Sequence, residues 1–368
     1  MKDQFFVPSF GNRPKHMVGR EDVLQDFALC LDNPPGSREK VLLLLGQRGT
    51  GKTVLLLELA EMAQKKGTIV ASPTVPGKDM LSRILEKLKI SGDDVLRKQK
   101  PKVSGGSVNV LGFGAGIQLQ EGFAEQKSFA LQLSEICAAC NQKQRSVLIL
   151  IDEVRANNEE LRQLIVAYQE LIGAGLDISM VLAGLPMTIS SVLNDHVLTF
   201  LNRAVKIDLP LLKKNDILAY YSNSFQELGI SIEREKKEKA SEFAKGSPYL
   251  MQLIGHYIVL LSDKNGHLSN DAFLQALENA EEVFKNDVCR TTIETLSDRD
   301  IDFLTAMSKD AHESGTSEIA SRLGATAAYV QTYKRRLMQT GVIYQPRRGK
   351  VDFAVPYLKE YLIETEQG

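Results

Sequence analysis

Apolar residues follow two rhythms along this chain. Short aliphatic runs at Val41–Leu45, Thr68–Ser72, Val147–Ile151 and Ile178–Gly184, with a more alternating one at Ala204–Leu209, predict strands. The first four carry almost no polar residues, as strands of a parallel sheet covered on both faces do. Between them the period becomes helical. Val23, Leu24, Phe27 and Leu31 share one face after Gly19-Arg20-Glu21, and helices are predicted near Lys78–Leu88, over Phe129–Asn141 and over Asn158–Gly173. From Lys213 to Asn286 only the helical rhythm remains, predicting helices over 215–228, 232–245, 248–261 and 271–286, with a break at Gly246-Ser247-Pro248.

The last stretch changes character again. Ser297 is placed to cap a helix that runs to Met307. A second helix covers Ser317–Leu323, and a third Ala327–Gln339. A hairpin then spans Val342–Val355 and turns at Arg348-Gly349. Three helices followed by a hairpin predict a winged helix-turn-helix. The expected organisation is an α/β domain over 1–212, a helical lid over 213–290 and a winged-helix domain over 291–368. Residues 91–126 break the alternation. Around Ser104–Gln120, small or polar residues alternate with apolar ones about a Gly-rich middle, which predicts an inserted hairpin over about 103–121.

The sharpest chemical signal follows the first strand. Gly46-Gln47-Arg48-Gly49-Thr50-Gly51-Lys52-Thr53 fits G-x-x-x-x-G-K-[ST] between a buried strand and a helix that begins at Val54. Glycines let backbone N–H groups turn inward, and the helix N-terminus adds positive partial charge. Lys52 is then placed to reach β- and γ-phosphates, and the Thr53 hydroxyl to ligate Mg²⁺. The run Val147–Ile151 ends in Asp152-Glu153, a Walker B pattern. Asp152 is the candidate Mg²⁺ ligand, and Glu153 the candidate base for an attacking water. ATP hydrolysis is the expected reaction.

Composition narrows the setting. With 368 residues, 43% hydrophobic and 25% charged, the chain has room for two or three ordinary domain cores. No apolar run approaches the roughly 20 residues of a membrane span, the first residues lack a signal pattern, and four cysteines make no disulfide framework. A cytoplasmic protein with no membrane partner is expected. Cys137-Ala-Ala-Cys140 has no second pair and sits inside a helical pattern, so buried helical cysteines are expected. The formal net charge is -1, so any nucleic-acid surface must be local. From Ile319 to Val351 there is no acidic residue, while Arg322, Lys334, Arg335, Arg336, Arg347, Arg348 and Lys350 fall there. Lys334, Arg335, Arg336, Arg347, Arg348 and Lys350 are therefore candidate contacts to duplex DNA. A winged helix that meets a protein instead stays open.

These pieces in this order resemble the AAA+ ATPases, in particular the initiator-like branch that includes origin-recognition and mobile-element ATPases. His16-Met17-Val18-Gly19-Arg20-Glu21 looks like the box preceding Walker A in that branch. The resemblance implies ATP, with Val18 and Gly19 near the base and a strap at Pro8–Phe10 beside it. Arg203, just before the last strand, matches the family's arginine finger, which implies a homo-oligomer. A role in replication initiation, helicase loading or mobile-element maintenance, with a protein partner from one of these processes, is what the branch suggests. Two departures stand out. Ala183-Gly184-Leu185-Pro186-Met187-Thr188 lacks the usual polar sensor except at Thr188, and Lys245 is the nearest base where an arginine sensor is expected at the lid break. The alternative is a nucleotide-switch signalling NTPase whose C-terminal module binds a protein.

Overall fold

The computed structural model describes residues 5–8, 15, 17–96, 127–196 and 198–367. The Gly-rich insertion at 103–121 lies outside them, as do His16 and most of the expected strap.

Five strands, β1 (Val41–Gly46), β2 (Ile69–Thr74), β3 (Val147–Ile151), β4 (Ile178–Gly184) and β5 (Val205–Leu209), form a sheet in the order β2-β3-β4-β1-β5. Every pairing is parallel. Helices α1 (Glu21–Asp32), α2 (Lys52–Lys65), α3 (Met80–Ser91), α4 (Asp93–Leu96), α5 (Phe129–Gln142), α6 (Glu159–Gly173) and α7 (Pro186–Leu193) accompany it. Strand side chains alternate strictly between two cores. Leu42, Leu44, Val70, Leu148, Leu150 and Val181 pack with Phe27 of α1 and Leu55 of α2. Leu43, Ile69, Ala71, Ile149, Met180 and Leu182 pack with Ile84 of α3, Leu133 of α5 and Leu164 of α6. Both faces are buried, which is why the strands read as continuous apolar runs. Cys137 and Cys140 are buried in α5, and burial pushes both thiols up, Cys140 to about 11. Helix α7 is absent from the sequence expectation. Its eight residues, PMTISSVL, are too few to display a period, and Pro at its start was the one usable signal.

Helices α8 (Lys214–Glu227), α9 (Arg234–Phe243), α10 (Pro248–Leu261) and α11 (Asn270–Phe284) make the helical part that follows the sheet, where a lid is expected and which is called the lid below. A π-helical turn at Lys285–Arg290 and α12 (Thr291–Glu294) continue α11 into the C-terminal part. There α13 (Asp298–Ser308) starts on a capping box between Ser297 and Asp300. Strand β6 (Ser314–Gly315), α14 (Thr316–Leu323), α15 (Ala327–Gln339), β7 (Ile343–Tyr344), β8 (Lys350–Phe353) and α16 (Leu358–Gln367) follow. The three strands form an antiparallel sheet in the order β6-β8-β7 beside the helices. The three expected helices and the hairpin are present, and β6 and α16 are additions to the expected order. Lid and C-terminal part share one continuous apolar core, from Ile217 and Phe273 to Phe303 and Leu337.

Phe5 and Phe6, from the N-terminal strap, belong to that lid core. The Phe6 ring meets Tyr220 edge-on at 5.7 Å and lies 5.2 Å from Phe225. It fills a hole left by Gly255 in α10, where a Cβ would lie 2.0 Å from the ring. The Tyr220 hydroxyl donates to the Phe5 carbonyl (2.8 Å), and the Val7 N–H donates to Gln252 Oε1 (3.1 Å). Truncating Phe6 to Ala is expected to destabilise the lid by about 3–5 kcal/mol. Gly255→Ala is expected to do so by about 1–3 kcal/mol through overpacking. Urea unfolding of the two variants checks this; unchanged midpoints in both would separate the strap from the lid's stability.

Candidate nucleotide site

The carboxyl ends of β1, β4 and β3 lie side by side, and the loops leaving them face one cleft of about 950 Å³. This is where open parallel sheets place ligands. After β1 the chain turns through Gly49 (φ +77°) and Gly51 (φ +83°), left-handed conformations that favour glycine, and enters α2 at Lys52. The Lys52 ammonium donates to the carbonyls of Gly46 (2.9 Å) and Gln47 (2.8 Å). Burial lowers its pKa to about 8, against the opposing pull of Asp152 and Glu153. Thr50 is buried and donates to the Gln47 carbonyl, which fixes the bend of the loop.

Across the cleft, Asp152 is 4% exposed. Its Oδ2 accepts the Thr53 hydroxyl at 2.6 Å, and its Oδ1 accepts the Glu153 N–H at 2.9 Å. The two motifs, read separately from sequence, thus meet. Thr53 and Asp152 offer two hard oxygens side by side, a donor set that fits Mg²⁺ sharing phosphate and water oxygens. Glu153 holds φ +52°, rare for a non-glycine residue, and its side chain is exposed toward Arg155.

Val18 lines the outer end of the cleft with Val7, Pro8 and Met17. Gly19 holds φ +59° and packs against Asp216, where a Cβ would lie 2.9 Å from the carboxylate. Its neighbour Arg20 carries a role the sequence reading did not give it. Arg20 is 5% exposed, and its guanidinium donates to the carbonyls of Thr50 (3.1 Å) and Pro210 (2.8 Å). Burial pulls its pKa down, opposed by Asp216. It braces the phosphate loop against the chain leaving β5. Its place in the Val18-Gly19-Arg20-Glu21 box was the available signal.

Residues 16–178 match the family model described as "AAA ATPase domain". This part of the chain is an AAA ATPase domain. Residues 286–362 match a family described as "Domain of unknown function (DUF8462)". No curated protein matches the sequence. Among solved structures, the fold is similar to the Walker-type ATPase PABY2304 of Pyrococcus abyssi, with 15% identity, 97% of this chain and 99% of that one covered, and a TM-score of 0.70. It is also similar to the Aeropyrum pernix ORC2 protein in its ADPNP-ADP complexes, with 15% identity, coverage of 100% and 98%, and a TM-score of 0.63. The Cdc6p of Pyrobaculum aerophilum follows, with 16% identity, coverage of 98% and 97%, and a TM-score of 0.51. At these identities the likeness shows the fold, an AAA+ P-loop NTPase fold with further helical parts.

The remaining sequence candidates lie apart. Arg203 ends a 3-10 turn at Thr199–Arg203, is exposed, does not line the AAA domain's own cleft, and has no side-chain partner among the described residues. Lys245 pairs with Glu360 and lies 3.7 Å over the Tyr357 ring, so it belongs to the contact with α16 and not to the cleft. The six candidate DNA contacts divide. Lys334 is 8% exposed and donates to Gln345. Arg336 pairs with the fully buried Asp300 at 3.0 Å, and Arg347 with Glu313 at 2.8 Å. Arg335 and Arg348 are exposed with no side-chain partner among the described residues, and Lys350, partly exposed, lies in the field of Asp310 and Glu318. Asp287, Gln339 and Thr340 also line the cleft, reached from far along the chain. Nothing local in the sequence marks them.

The Lys52 pKa has a sign that binding experiments read. At pH above about 8 the free protein has partly lost this proton, and a bound triphosphate favours the ammonium. Binding near pH 9 is therefore expected to take up a fraction of a proton, and affinity to fall as pH rises from about 8 to 10. Calorimetry in two buffers of different ionisation heat measures the uptake; none near pH 9 would contradict the assignment of Lys52 to the phosphates.

Proposed function

We propose that this chain binds ATP with Mg²⁺ in the cleft, hydrolyses it in an assembly of like subunits, and binds duplex DNA through its C-terminal part. The observation that carries the reading is the 2.6 Å bond between Thr53 and Asp152 beside the half-buried Lys52. That the related ORC2 structure holds ADPNP and ADP supports the adenine nucleotide. The loop N–H groups of Gly49 to Thr53 and the start of α2 hold the phosphates, with Val54 in the same first turn and Gln47 and Arg48 on the loop. Mg²⁺ held at Thr53 and Asp152 supplies charge neutralisation on the phosphates. Glu153, exposed at the mouth, accepts the proton of the attacking water. Arg203 reaches a neighbouring subunit's site, a reading supported by its exposure and its position outside its own cleft lining.

DNA contact rests on α15 and the hairpin β7–β8. Arg335 and Arg348 are the cations free to meet phosphates, Lys350 is partly offset by Asp310 and Glu318, and Lys334, Arg336 and Arg347 already serve contacts within the chain. That partial neutralisation favours the second reading, a nucleotide switch whose C-terminal part docks on a protein.

Replacing Glu153 by Gln is expected to leave ATP bound and stop turnover. Arg203→Ala is expected to lower turnover by roughly 10³-fold without changing ATP affinity. Turnover assays against protein concentration read both, and unaltered rates would remove these residues from the mechanism. The double variant Arg335→Ala/Arg348→Ala is expected to weaken duplex binding and reduce the salt slope by about 1–2. Arg336→Ala should instead lower stability, because it leaves Asp300 buried without its partner. Fluorescence anisotropy across a salt series decides; an unchanged slope in the double variant would favour the protein-partner reading.

A further inference from the structure

Strand β2 does not run evenly beside β3. Ala71 stands opposite Ile149 and Thr74 opposite Ile151, so three steps of β2 match two of β3. The strand holds one extra residue, a bulge of the kind found beside active sites. Pro73 sits within it and has no N–H to give to a ladder. Oxygens of the bulge converge on one point, and Lys87 of α3 fills it. Its ammonium donates to the Ser72 carbonyl (3.1 Å), the Pro73 carbonyl (2.8 Å) and the Thr74 hydroxyl (2.7 Å). Three donors meet three acceptors, the full capacity of a lysine. Arg83, one turn earlier on α3, donates to the next carbonyl, that of Val75 (2.8 Å). Helix α3 is itself fixed. Ile84 and Leu88 pack in the core that also holds Ile69 and Ala71, and Glu160 of α6 accepts the amides of Asp79 and Leu81.

The bulge reaches the cleft through Thr74. Its carbonyl accepts the Asp152 N–H (3.0 Å), and the Ala183 carbonyl of β4 accepts the Val154 N–H (2.9 Å). Between these two bonds the chain turns through Glu153 at φ +52°. The corner that carries the candidate Mg²⁺ ligand and the candidate base is thus held by one carbonyl on each side. On the β4 side that carbonyl belongs to a regular, wholly buried strand; on the β2 side it belongs to the bulge that Lys87 fastens. Lys87 does not line the cleft, so it acts on the site only through the strand.

We propose that Lys87 is a positioning residue for the hydrolysis: by fastening the β2 bulge it sets where the Thr74 carbonyl lies, and through it the placement of Asp152 and Glu153. The proposal rests on the nucleotide reading above. Without the ammonium, the oxygens that converge on it lose their shared donor, and the bulge relaxes toward the regular register. The Thr74 carbonyl then leaves the Asp152 amide. An arginine keeps the charge, but its planar fork does not match three oxygens arranged around a point.

The test uses the full chain as wild type, Lys87→Met, Lys87→Arg, Thr74→Val and Thr74→Ser. Without nucleotide, hydrogen exchange in Lys87→Met is expected to quicken over 150–154 and to stay as in wild type over 55–65. With ATP and Mg²⁺, kcat is expected to fall roughly 10- to 100-fold at unchanged KM, the range for a lost outer partner of a metal site. The Mg²⁺ midpoint for nucleotide binding is expected to rise by a similar factor, while ADP affinity without Mg²⁺ holds. Lys87→Arg is expected to share the loss. Thr74→Val, which removes one acceptor, gives a smaller loss in the same direction and Thr74→Ser none; this pair keeps the test valid if Lys87→Met does not fold. Unchanged exchange over 150–154 overturns the proposal. So does a joint fall of kcat and of ADP affinity without Mg²⁺, which marks a general loss of structure. A wild type that binds no nucleotide overturns the nucleotide reading instead, and the exchange comparison then decides separately whether Lys87 holds the corner.

Discussion

The bond between the Thr53 hydroxyl and the Asp152 carboxylate joins the first turn of α2 to the loop after β3, 99 residues apart in sequence. A carboxylate 4% exposed is costly unless its oxygens are satisfied, and both Asp152 oxygens are, by Thr53 and by the Glu153 amide. That satisfaction demands two strand ends in fixed relation. Strand β4 lies between β1 and β3 and pairs with each in parallel, so both loops emerge at the same edge of the sheet. The apolar alternation of Leu42 and Leu44 against Leu43 then locks the register, since a one-residue slip would exchange the two cores. The sheet's packing and the chemistry of its loops are in this sense one requirement.

What the sequence made legible was whatever repeats locally. The strands showed because both faces of each are covered, and α10 and α15 showed their full spans because a capping Ser247 or Thr326 precedes a strong helical period. The phosphate loop and the Asp152-Glu153 pair showed because their chemistry needs a fixed spelling. What stayed hidden depends on the meeting of distant segments. Arg20 bracing Thr50 and Pro210, Phe6 filling the hole at Gly255, and Gln339 and Thr340 at the cleft are all products of tertiary packing. The basic stretch from Arg322 to Lys350 misleads for the same reason. It has no acidic residue of its own, yet Asp310, Asp300 and Glu313 from outside it pair with Arg322, Arg336 and Arg347. Charge counted along a chain overstates charge presented by a surface.

The buried pair between Arg336 and Asp300 shows how one residue can serve the fold at the expense of an interface. Asp300 is fully buried because it closes the capping box of α13, accepting from the Ser297 backbone and hydroxyl. A carboxylate in that position needs a cation, and Arg336 from α15 supplies one. The side chain is half exposed, but its charge is largely spent.

The distribution of cores divides the molecule differently from its sequence. Two apolar clusters flank the sheet, and a third runs without interruption from the strap at Phe5 through the lid to Leu362 in α16. The π-helical turn at Lys285–Arg290 adds no break, because Cys289 is buried in the same cluster and Lys285 pairs with both Glu281 and Glu364. Lid and C-terminal part therefore move as a unit more readily than they move against each other. The seam between that unit and the sheet is the cleft, crossed by the packing of Gly19 on Asp216 of α8 and by the seat of Gly341 on Leu185. A nucleotide bound there would touch both sides of the seam, so even a small preference for one spacing of the two bodies would be felt along α15, whose end lines the cleft.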